Sequence, residues 1–533
     1  MEWGRVRTSS SLLFVLLAAI AGVAIVAKRL KIPYPIAFVI GGSALAFVPN
    51  LPPLNLNPDW IFLIFLPPLL YSGAWETDLK SFKANLRPIG LLAIGLVIFT
   101  TGIVAVVAHR MLPGMGWAAA FVLGAIISPP DAVAAGAVFE RFSIPRRVLV
   151  ILDGEGLVND ATALVIYRFG VAAVVTGTFS LGQASLAFVG VALGGVLAGL
   201  VFAVGLVALT KLFRRFDLGD SLIENTLQLV APYTAYSLGE ALHVSGVLAT
   251  VAAGMYVSRQ SSEIYDAEGR LVASSVWELM IFLLNGLVFL LIGLQLRPIV
   301  HDPAFARSQL WAGLGIALLV IAVRIAWVYP ASYLPRVIFP SIARREGPLN
   351  LRYVFVMAWS GMRGIVSLAS ALALPLSLSN GKPFPGREEI VFITFCVIFV
   401  TLVLQGLSLI PLLKWLKVDA GDDFEQREIE VRVLALRAGI ARLRELEQTF
   451  DTTEQWEVEG RILGEYDYRI AHLSGHLDGS ISADDIAYDH KLQQESLQAE
   501  RREIARLRDV GEIPDDIYRR VQYDLDLADE RLS

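Results

Sequence analysis

The sequence of 533 residues is 55% hydrophobic and 18% charged, with a mean hydropathy of +0.59. This composition excludes an ordinary soluble enzyme and indicates a membrane protein embedded in a lipid bilayer. The net charge of −5 conceals an uneven distribution, because the chain from Val418 onward has 29 Asp and Glu but only 15 Lys and Arg. We therefore predict a transmembrane domain at residues 1–417 and a cytoplasmic acidic helical tail at residues 418–533.

The first apolar run follows Arg5 and Arg7, an order that a signal peptide would also have. Lys28 and Arg29 follow the run where a signal peptide would have small residues, so we predict a retained first span. Runs long enough to cross a bilayer recur about thirteen times. The predicted spans are 11–27, 33–48, 59–75, 87–108, 116–137, 147–175, 183–210, 222–241, 244–258, 275–296, 309–334, 353–375 and 389–416.

Basic residues alternate between the loops that connect these spans. One set of loops carries about 18 Lys and Arg and the opposite set about 5, an asymmetry that marks the cytoplasmic side. The pattern predicts an external N-terminus and a cytoplasmic tail, in a plasma membrane that we expect to be a bacterial inner membrane. The single cysteine, Cys396, provides neither a disulfide nor a thiolate metal site. No nucleotide-binding motif and no sign of a nucleic-acid partner are present, and no cofactor is predicted.

Two predicted spans are interrupted near their centres, the fifth at residues 128–131 (Ser-Pro-Pro-Asp) and the twelfth at residues 360–364 (Ser-Gly-Met-Arg-Gly). Pro and Gly are common in membrane helices, so one such break would have little meaning. These two breaks are seven spans apart and each adjoins a charge, the arrangement expected of inverted repeats. They predict an ion-binding site where the two broken helices meet.

The sixth predicted span carries Glu155, Asn159 and Asp160 in an apolar setting, where charges are costly and usually functional. Glu155 and Asn159 are four residues apart and share a helix face, on which Arg363 is the expected partner. Asp160 points elsewhere and can face an ion path. A carboxylate that binds either a proton or a cation couples the two fluxes, and its hard oxygens suit an alkali cation.

At this point the sequence resembles the monovalent cation/proton antiporter superfamily, in its sodium/proton exchanger branch (CPA1-type, bacterial NhaP-like). The similarity extends to about Leu416. Four segments carry it: Gly124 to Ala134, Asp153 to Thr162, Glu278 with Phe282, Asn285 and Gly293, and Gly361 to Ser367.

The resemblance implies an all-α polytopic body of about 13 helices with inverted repeats and two crossed broken helices. It implies a homodimer that works by elevator-like alternating access. Asp160 would carry the ion or the proton, Asp131 would lie at the crossing, and a Glu155–Arg363 ion pair would position Asn159. Because Asn159 adds no charge, electroneutral exchange of one Na⁺, or one Li⁺ or K⁺, for one H⁺ is expected.

Two departures from the family pattern leave the preferred cation open. Gly156 stands where many relatives have a serine, and Pro130 where many have a polar residue. Thr162 is a weaker candidate ligand than Asp160. Glu278 and Arg324 are further charges within spans, and either could pair structurally or take part in transport.

Other functions use similar features. A cation channel would have broken helices and carboxylates without coupling, and a cation-sensing receptor could use the acidic tail as its output. An intramembrane protease could use Asp131 with Asp160 as paired catalytic carboxylates. The positions of the motifs favour the antiporter. The tail could regulate transport, form dimer contacts or be a solvated helical domain.

Overall fold

The computed structural model describes residues 2–48, 60–139, 141–142, 144–177, 180–265, 267–296, 307–346, 349–378, 381–418, 423–446, 453–478, 483–510, 512 and 514–530. These residues are almost entirely helical, with one isolated antiparallel bridge between Ser377 and Pro383. The chain divides into two compact units, Met1–Asp419 and Ala420–Ser533.

Within the ranges just given, the first unit is a bundle of helices and three π-helical turns. In chain order these are α1 (Glu2–Leu30), α2 (Tyr34–Leu45), π1 (Ile61–Phe65), α3 (Leu66–Glu76), α4 (Leu79–Ala84), α5 (Leu86–Gly90), π2 (Leu91–Leu96), α6 (Val97–Met111), α7 (Trp117–Ile127), α8 (Ala132–Phe139), α9 (Arg146–Thr176), α10 (Leu181–Arg215), α11 (Ser221–Ala241), α12 (Gly246–Ile264), α13 (Ala267–Leu294), α14 (Arg307–Ile338), α15 (Pro340–Glu346), α16 (Leu351–Trp359), α17 (Ile365–Leu372), α18 (Arg387–Val400), π3 (Thr401–Gln405) and α19 (Gly406–Leu416).

Seven helical stretches within the described ranges are long and apolar enough to cross a membrane. They are Leu86–Met111, Trp117–Phe139, Arg146–Thr176, Ala184–Arg215, Gly269–Leu294, Gln309–Ile338 and Arg387–Leu416. The shorter apolar helices Tyr34–Leu45 and Ile61–Glu76 coincide with the second and third predicted spans, although residue 59 lies outside the described residues. The all-helical prediction is confirmed, whereas the count of thirteen spans stays a prediction.

Both predicted interruptions are present. Helix α7 ends at Ile127 and α8 begins at Ala132, while α16 ends at Trp359 and α17 begins at Ile365. Pro129 and Pro130 end α7 because proline has no backbone N–H to continue the hydrogen-bond ladder. In the membrane, the backbone groups that each break frees must find partners within the protein.

Small residues allow close packing of α2 on α13. A Cβ at Gly42 would overlap the backbone of Leu290, and one at Gly293 would overlap the backbone of α2. Such contacts are typical of membrane helices, where packing rather than hydrophobic burial favours association. Gly293 belongs to one of the segments that carry the family resemblance, and its role here is helix packing.

The described residues of the second unit form four helices: α20 (Asp423–Leu446), α21 (Thr453–Asp478), α22 (Ala483–Asp509) and α23 (Asp515–Glu530). Helix α20 packs on α21 and α22 packs on α23. Ile429, Val433 and Leu436 form the buried stripe of α20, as expected of an amphipathic helix.

Candidate functional site

Asp131 joins the first break to the helix that follows it. Its Oδ1 accepts a hydrogen bond of 2.9 Å from the N–H of Val133, as an aspartate at a helix N-terminus commonly does. Its Oδ2 lies against Gly364, where a Cβ would overlap the carboxylate. Only glycine at position 364 therefore lets the carboxylate approach the N-terminus of α17, whose free N–H groups favour an anion.

The two breaks are in direct contact. The N–H of Asp131 donates to the carbonyl of Met362 over 2.7 Å. Arg363 crosses in the other direction, with Nε donating to the carbonyl of Ile127 over 3.0 Å and Nη2 to that of Ser128 over 3.3 Å. Arg363 is fully buried, and its charge lies on carbonyls that the end of α7 leaves without helical partners. The breaks therefore hold each other in place.

Helix α9 brings Asn159 and Asp160 to this crossing. Asn159 is fully buried, and its Nδ2 donates to the carbonyl of Pro130 over 2.8 Å. Its Oδ1 has no hydrogen-bond partner among the described residues. Asp160 is only partly buried, and its carboxylate lies close enough to that of Asp131 for the two charges to repel each other. Two partly buried carboxylates thus lie near each other, beside a buried amide that is bound to the first break.

Gly156 and Thr162 both make contacts within the helix bundle. A Cβ at position 156 would lie 2.5 Å from the Cβ of Ala132, so glycine permits close contact between α9 and α8. The Thr162 hydroxyl donates to the carbonyl of Val158, one turn earlier in the same helix, over 3.2 Å. Neither residue is part of the hydrogen-bond network at the crossing.

The structure contradicts the prediction of an ion pair between Glu155 and Arg363. Glu155 pairs instead with Arg324 of α14, with Nη1–Oε1 and Nη2–Oε2 distances of 2.5 Å and 2.8 Å. Both side chains are almost completely buried. The forked guanidinium matches a carboxylate, and Arg324 also donates to the carbonyl of Met357 through Nε and Nη2. Arg363 donates to backbone carbonyls, including that of Gly361.

Arg324 is therefore part of the network, although the sequence indicated only a possible accessory role. It links α9 to the end of α16, just before the second break. Glu278 is different, because its side chain is exposed on α13 and lies outside the network. Of the two accessory charges, the structure brings only Arg324 to the site.

Three polar residues near the second break escaped the sequence analysis. The hydroxyl of Thr401 accepts from the N–H of Arg363 over 3.1 Å, and Nε2 of Gln405 donates to the carbonyl of Trp359 over 2.8 Å. The hydroxyl of Ser408 accepts from Nε1 of Trp359 over 3.0 Å. These residues are uncharged, so a search for charges within spans passes over them. Their spacing of four and then three residues was the available signal, because it places them on one helix face.

Comparison with known proteins connects this site to a family. The family profile described as "Sodium/hydrogen exchanger, transmembrane" matches residues 15–415. The chain belongs to the sodium/hydrogen exchanger family. It is therefore a multi-pass membrane protein of a transporter family, which disfavours the protease that Asp131 and Asp160 could also suggest.

Two relatives show the extent of the similarity. A protein of Bacillus pumilus named "Sodium, potassium, lithium and rubidium/H(+) antiporter" is 35% identical over 440 residues, which are 81% of this chain and 65% of that protein. The aligned region thus falls short of two thirds of that relative. The uncharacterized Na⁺/H⁺ exchanger Rv2287 of Mycobacterium tuberculosis is 32% identical over 530 residues, 97% of this chain and 95% of that protein.

Among solved structures, the sodium proton antiporter MjNhaP1 of Methanocaldococcus jannaschii at pH 8 has the same fold. It matches with a TM-score of 0.59 and 19% identity, covering 78% of this chain and all of that one. At this identity the match establishes the fold of the membrane unit.

Proposed function

We propose that the protein is a secondary antiporter that exchanges a monovalent cation, Na⁺ or also Li⁺ or K⁺, for H⁺, with Asp160 as the shared carrier. One observation carries the proposal. Asp160 is a partly exposed carboxylate within a membrane helix, and the described residues give it an acidic neighbour, Asp131, instead of a basic partner. A carboxylate in that setting favours binding of a positive charge.

Either a proton or a metal cation satisfies such a group, and binding of one excludes the other. This competition couples the two fluxes without a further energy source. The rest of the network supports a fixed site, because Asn159 binds the carbonyl of Pro130 and Glu155 binds Arg324. Asn159 contributes no titratable charge, so one cation exchanged for one proton, with no net charge moved, is the stoichiometry that fits.

The ligands available to the cation favour broad selectivity among alkali ions. Gly156 offers no hydroxyl, the Cβ of Ala132 occupies the space beside it, and the carbonyl of Pro130 already accepts from Asn159. Carboxylate oxygens, the unpartnered Oδ1 of Asn159 and water are the ligands available, and these suit several hard monovalent cations. The name of the B. pumilus relative includes four such cations.

The wider setting follows from the sequence and the family. The excess of basic residues in alternate loops supports an external N-terminus and a cytoplasmic tail, and the bacterial relatives support an inner membrane. The contact between the two broken helices is consistent with alternating access by an elevator-like motion, and the family resemblance implies a homodimer. The acidic tail is then a cytoplasmic unit that regulates exchange.

The test is cation-driven proton movement in proteoliposomes with the membrane potential clamped. We expect Na⁺ to change the internal pH when wild-type protein is present, and Asp160→Asn to abolish the change because asparagine cannot exchange a proton. Li⁺ and K⁺ are compared in the same vesicles.

Glu278→Gln is the matched control, since it neutralises an exposed carboxylate of the membrane unit outside the network. It should exchange like the wild type. Equal exchange by Asp160→Asn would refute the carrier assignment. Cation flux without proton flux would indicate a channel, and folded wild-type protein silent with all three cations would indicate a sensor.

A further inference from the structure

The second break removes one particular backbone hydrogen bond. In a continuous helix the N–H of Arg363 would donate to the carbonyl of Trp359, four residues earlier. Here the N–H donates to the hydroxyl of Thr401 and the carbonyl accepts from the amide of Gln405. Thr401 and Gln405 therefore satisfy separately the two halves of the hydrogen bond that the break has opened.

We propose that Thr401 and Gln405 are positioning residues that hold the second broken helix open in its ion-binding arrangement, an inference that rests on the proposed exchange function. Both side chains are fully buried. Their own spacing of four residues matches that of the groups they bind. The π-helical turn that contains them, π3, has the wider turn often found at functional sites in membrane and soluble helices.

The position of this backbone matters for the ion because the same segment contacts the first break. Met362, directly before Arg363, accepts from the N–H of Asp131, and the Arg363 guanidinium binds the carbonyls of Ile127 and Ser128. A shift of residues 362–363 would therefore move Asp131. Among the described residues, Thr401 and Gln405 form no hydrogen bond with either carboxylate, so they act on the ion site through this backbone.

A second contact fixes the other side of the break. Ser408, three residues beyond Gln405 on the same face, accepts a hydrogen bond from the Trp359 indole. The last span thus binds both the side chain and the carbonyl of Trp359. This contact keeps the end of α16 in place even when the backbone of the break is perturbed, so the variants below should retain the fold.

The test compares Thr401→Val and Gln405→Met with wild type in reconstituted exchange. Each variant keeps the approximate side-chain size and leaves one buried backbone group without a partner. We expect the ratio of maximal rate to apparent KM for Na⁺ to fall about tenfold in each. Most of the change should be a higher KM, accompanied by a shifted pH profile, because Asp131 is displaced. Thr401→Ser, which keeps the hydroxyl, should restore wild-type values.

Thr394→Val is the matched control. Thr394 is also fully buried on the same span, in α18, but its hydroxyl has no hydrogen-bond partner among the described residues. It should exchange like the wild type. In the Thr401→Val/Gln405→Met double variant, the Arg363 N–H and the Trp359 carbonyl are both free and can pair with each other. Because that pairing closes the break, the combined loss of exchange should be at least as large as the product of the two single losses.

Several outcomes would overturn the inference while exchange itself survives. One is exchange by Thr401→Val that is indistinguishable from that of Thr394→Val. Another is a lower yield of folded Thr401→Val and Gln405→Met whose KM and pH profile, per folded molecule, equal those of the wild type. If Thr401→Val does not fold, wild-type kinetics of Gln405→Met would also refute the inference. Silence of the wild type would instead refute the proposed function, so the two failures are distinguishable.

Discussion

Two pairs of charged residues each include one member of helix α9, Glu155 in the first pair and Asp160 in the second. The two pairs differ in burial, in the sign of their charges and in hydrogen bonding. Glu155 and Arg324 are almost completely buried, and two hydrogen bonds join them. Asp131 and Asp160 are partly exposed, carry the same charge and lie close enough to repel each other. The first pair is electrostatically complete, whereas the second has no basic partner among the described residues and, in the proposed exchange, binds a proton or a cation.

The comparison shows that a charge inside a membrane is not by itself a sign of ion binding. A charge with all its partners in the protein fixes the geometry, and its loss should affect folding first. A charge without a basic partner is available to a ligand, and its loss should affect transport first. The two pairs therefore predict opposite results from similar substitutions.

The largest effect on stability is expected from Arg324→Met. It leaves Glu155 buried without its guanidinium, which should lower the free energy of unfolding by about 3–5 kcal/mol. The Glu155→Gln/Arg324→Met double variant removes both charges and should regain a substantial part of that loss. Denaturant unfolding of the purified protein in detergent measures both.

Arg168→Met is the control for this experiment. Arg168 also pairs with a glutamate, Glu240, but its side chain is 51% exposed. Loss of such an exposed pair should change stability by no more than about 1 kcal/mol. If Arg324→Met and Arg168→Met were equally stable, the Glu155–Arg324 pair could not be the fixed element of the comparison.

A smaller effect is expected from Gly156→Ser, at the contact between α9 and α8. The new Cβ would lie 2.5 Å from that of Ala132, and such overpacking typically costs about 1–3 kcal/mol. The exchange rate should fall as well, since Ala132 directly follows Asp131 and Gly156 lies about one helical turn before Asp160. Unfolding and exchange are measured on the same preparation.

Gly136→Ser provides the control, because nothing lies within 4 Å of a Cβ at that position of α8. It should leave both stability and exchange close to wild type. The Ala132→Gly substitution should relieve the overlap in Gly156→Ser. A single Gly156→Ser variant with wild-type stability would show that the two helices are not in tight contact.

The sequence predicts the helices and both breaks because apolar runs, Pro and Gly act locally. It also selects Asp131, Asn159 and Asp160, which the structure brings together. It assigns the wrong arginine to Glu155, since spacing along one helix cannot tell which of two distant arginines reaches it. The sequence does not predict the π-helical turns either, because these spans are apolar on most faces and the rotation caused by one extra residue leaves little trace in the pattern.

The smallest effect concerns a carboxylate outside the membrane-spanning helices. Asp78 precedes α4, where Oδ2 accepts from the Ser81 hydroxyl over 2.5 Å and the N–H groups of Lys80 and Ser81 donate to the same carboxylate. The Ser81 hydroxyl, followed by these N–H groups, holds the pKa of Asp78 below its ordinary value of 3.8. Like Glu155, Asp78 has its partners within the protein, but it is in contact with water.

We expect Asp78→Ala to lower the free energy of unfolding by about 0.5–2 kcal/mol at neutral pH. Because folding lowers the pKa, the ionised carboxylate stabilises the protein fully above its unfolded pKa, and this part is lost as the pH falls below it. The difference between wild type and Asp78→Ala should therefore shrink at about pH 3. Asp78→Asn keeps a capping oxygen without titrating, so its difference from Asp78→Ala should stay constant. A wild-type difference that is equally independent of pH would show that the charge of Asp78 contributes nothing to the stability of this protein.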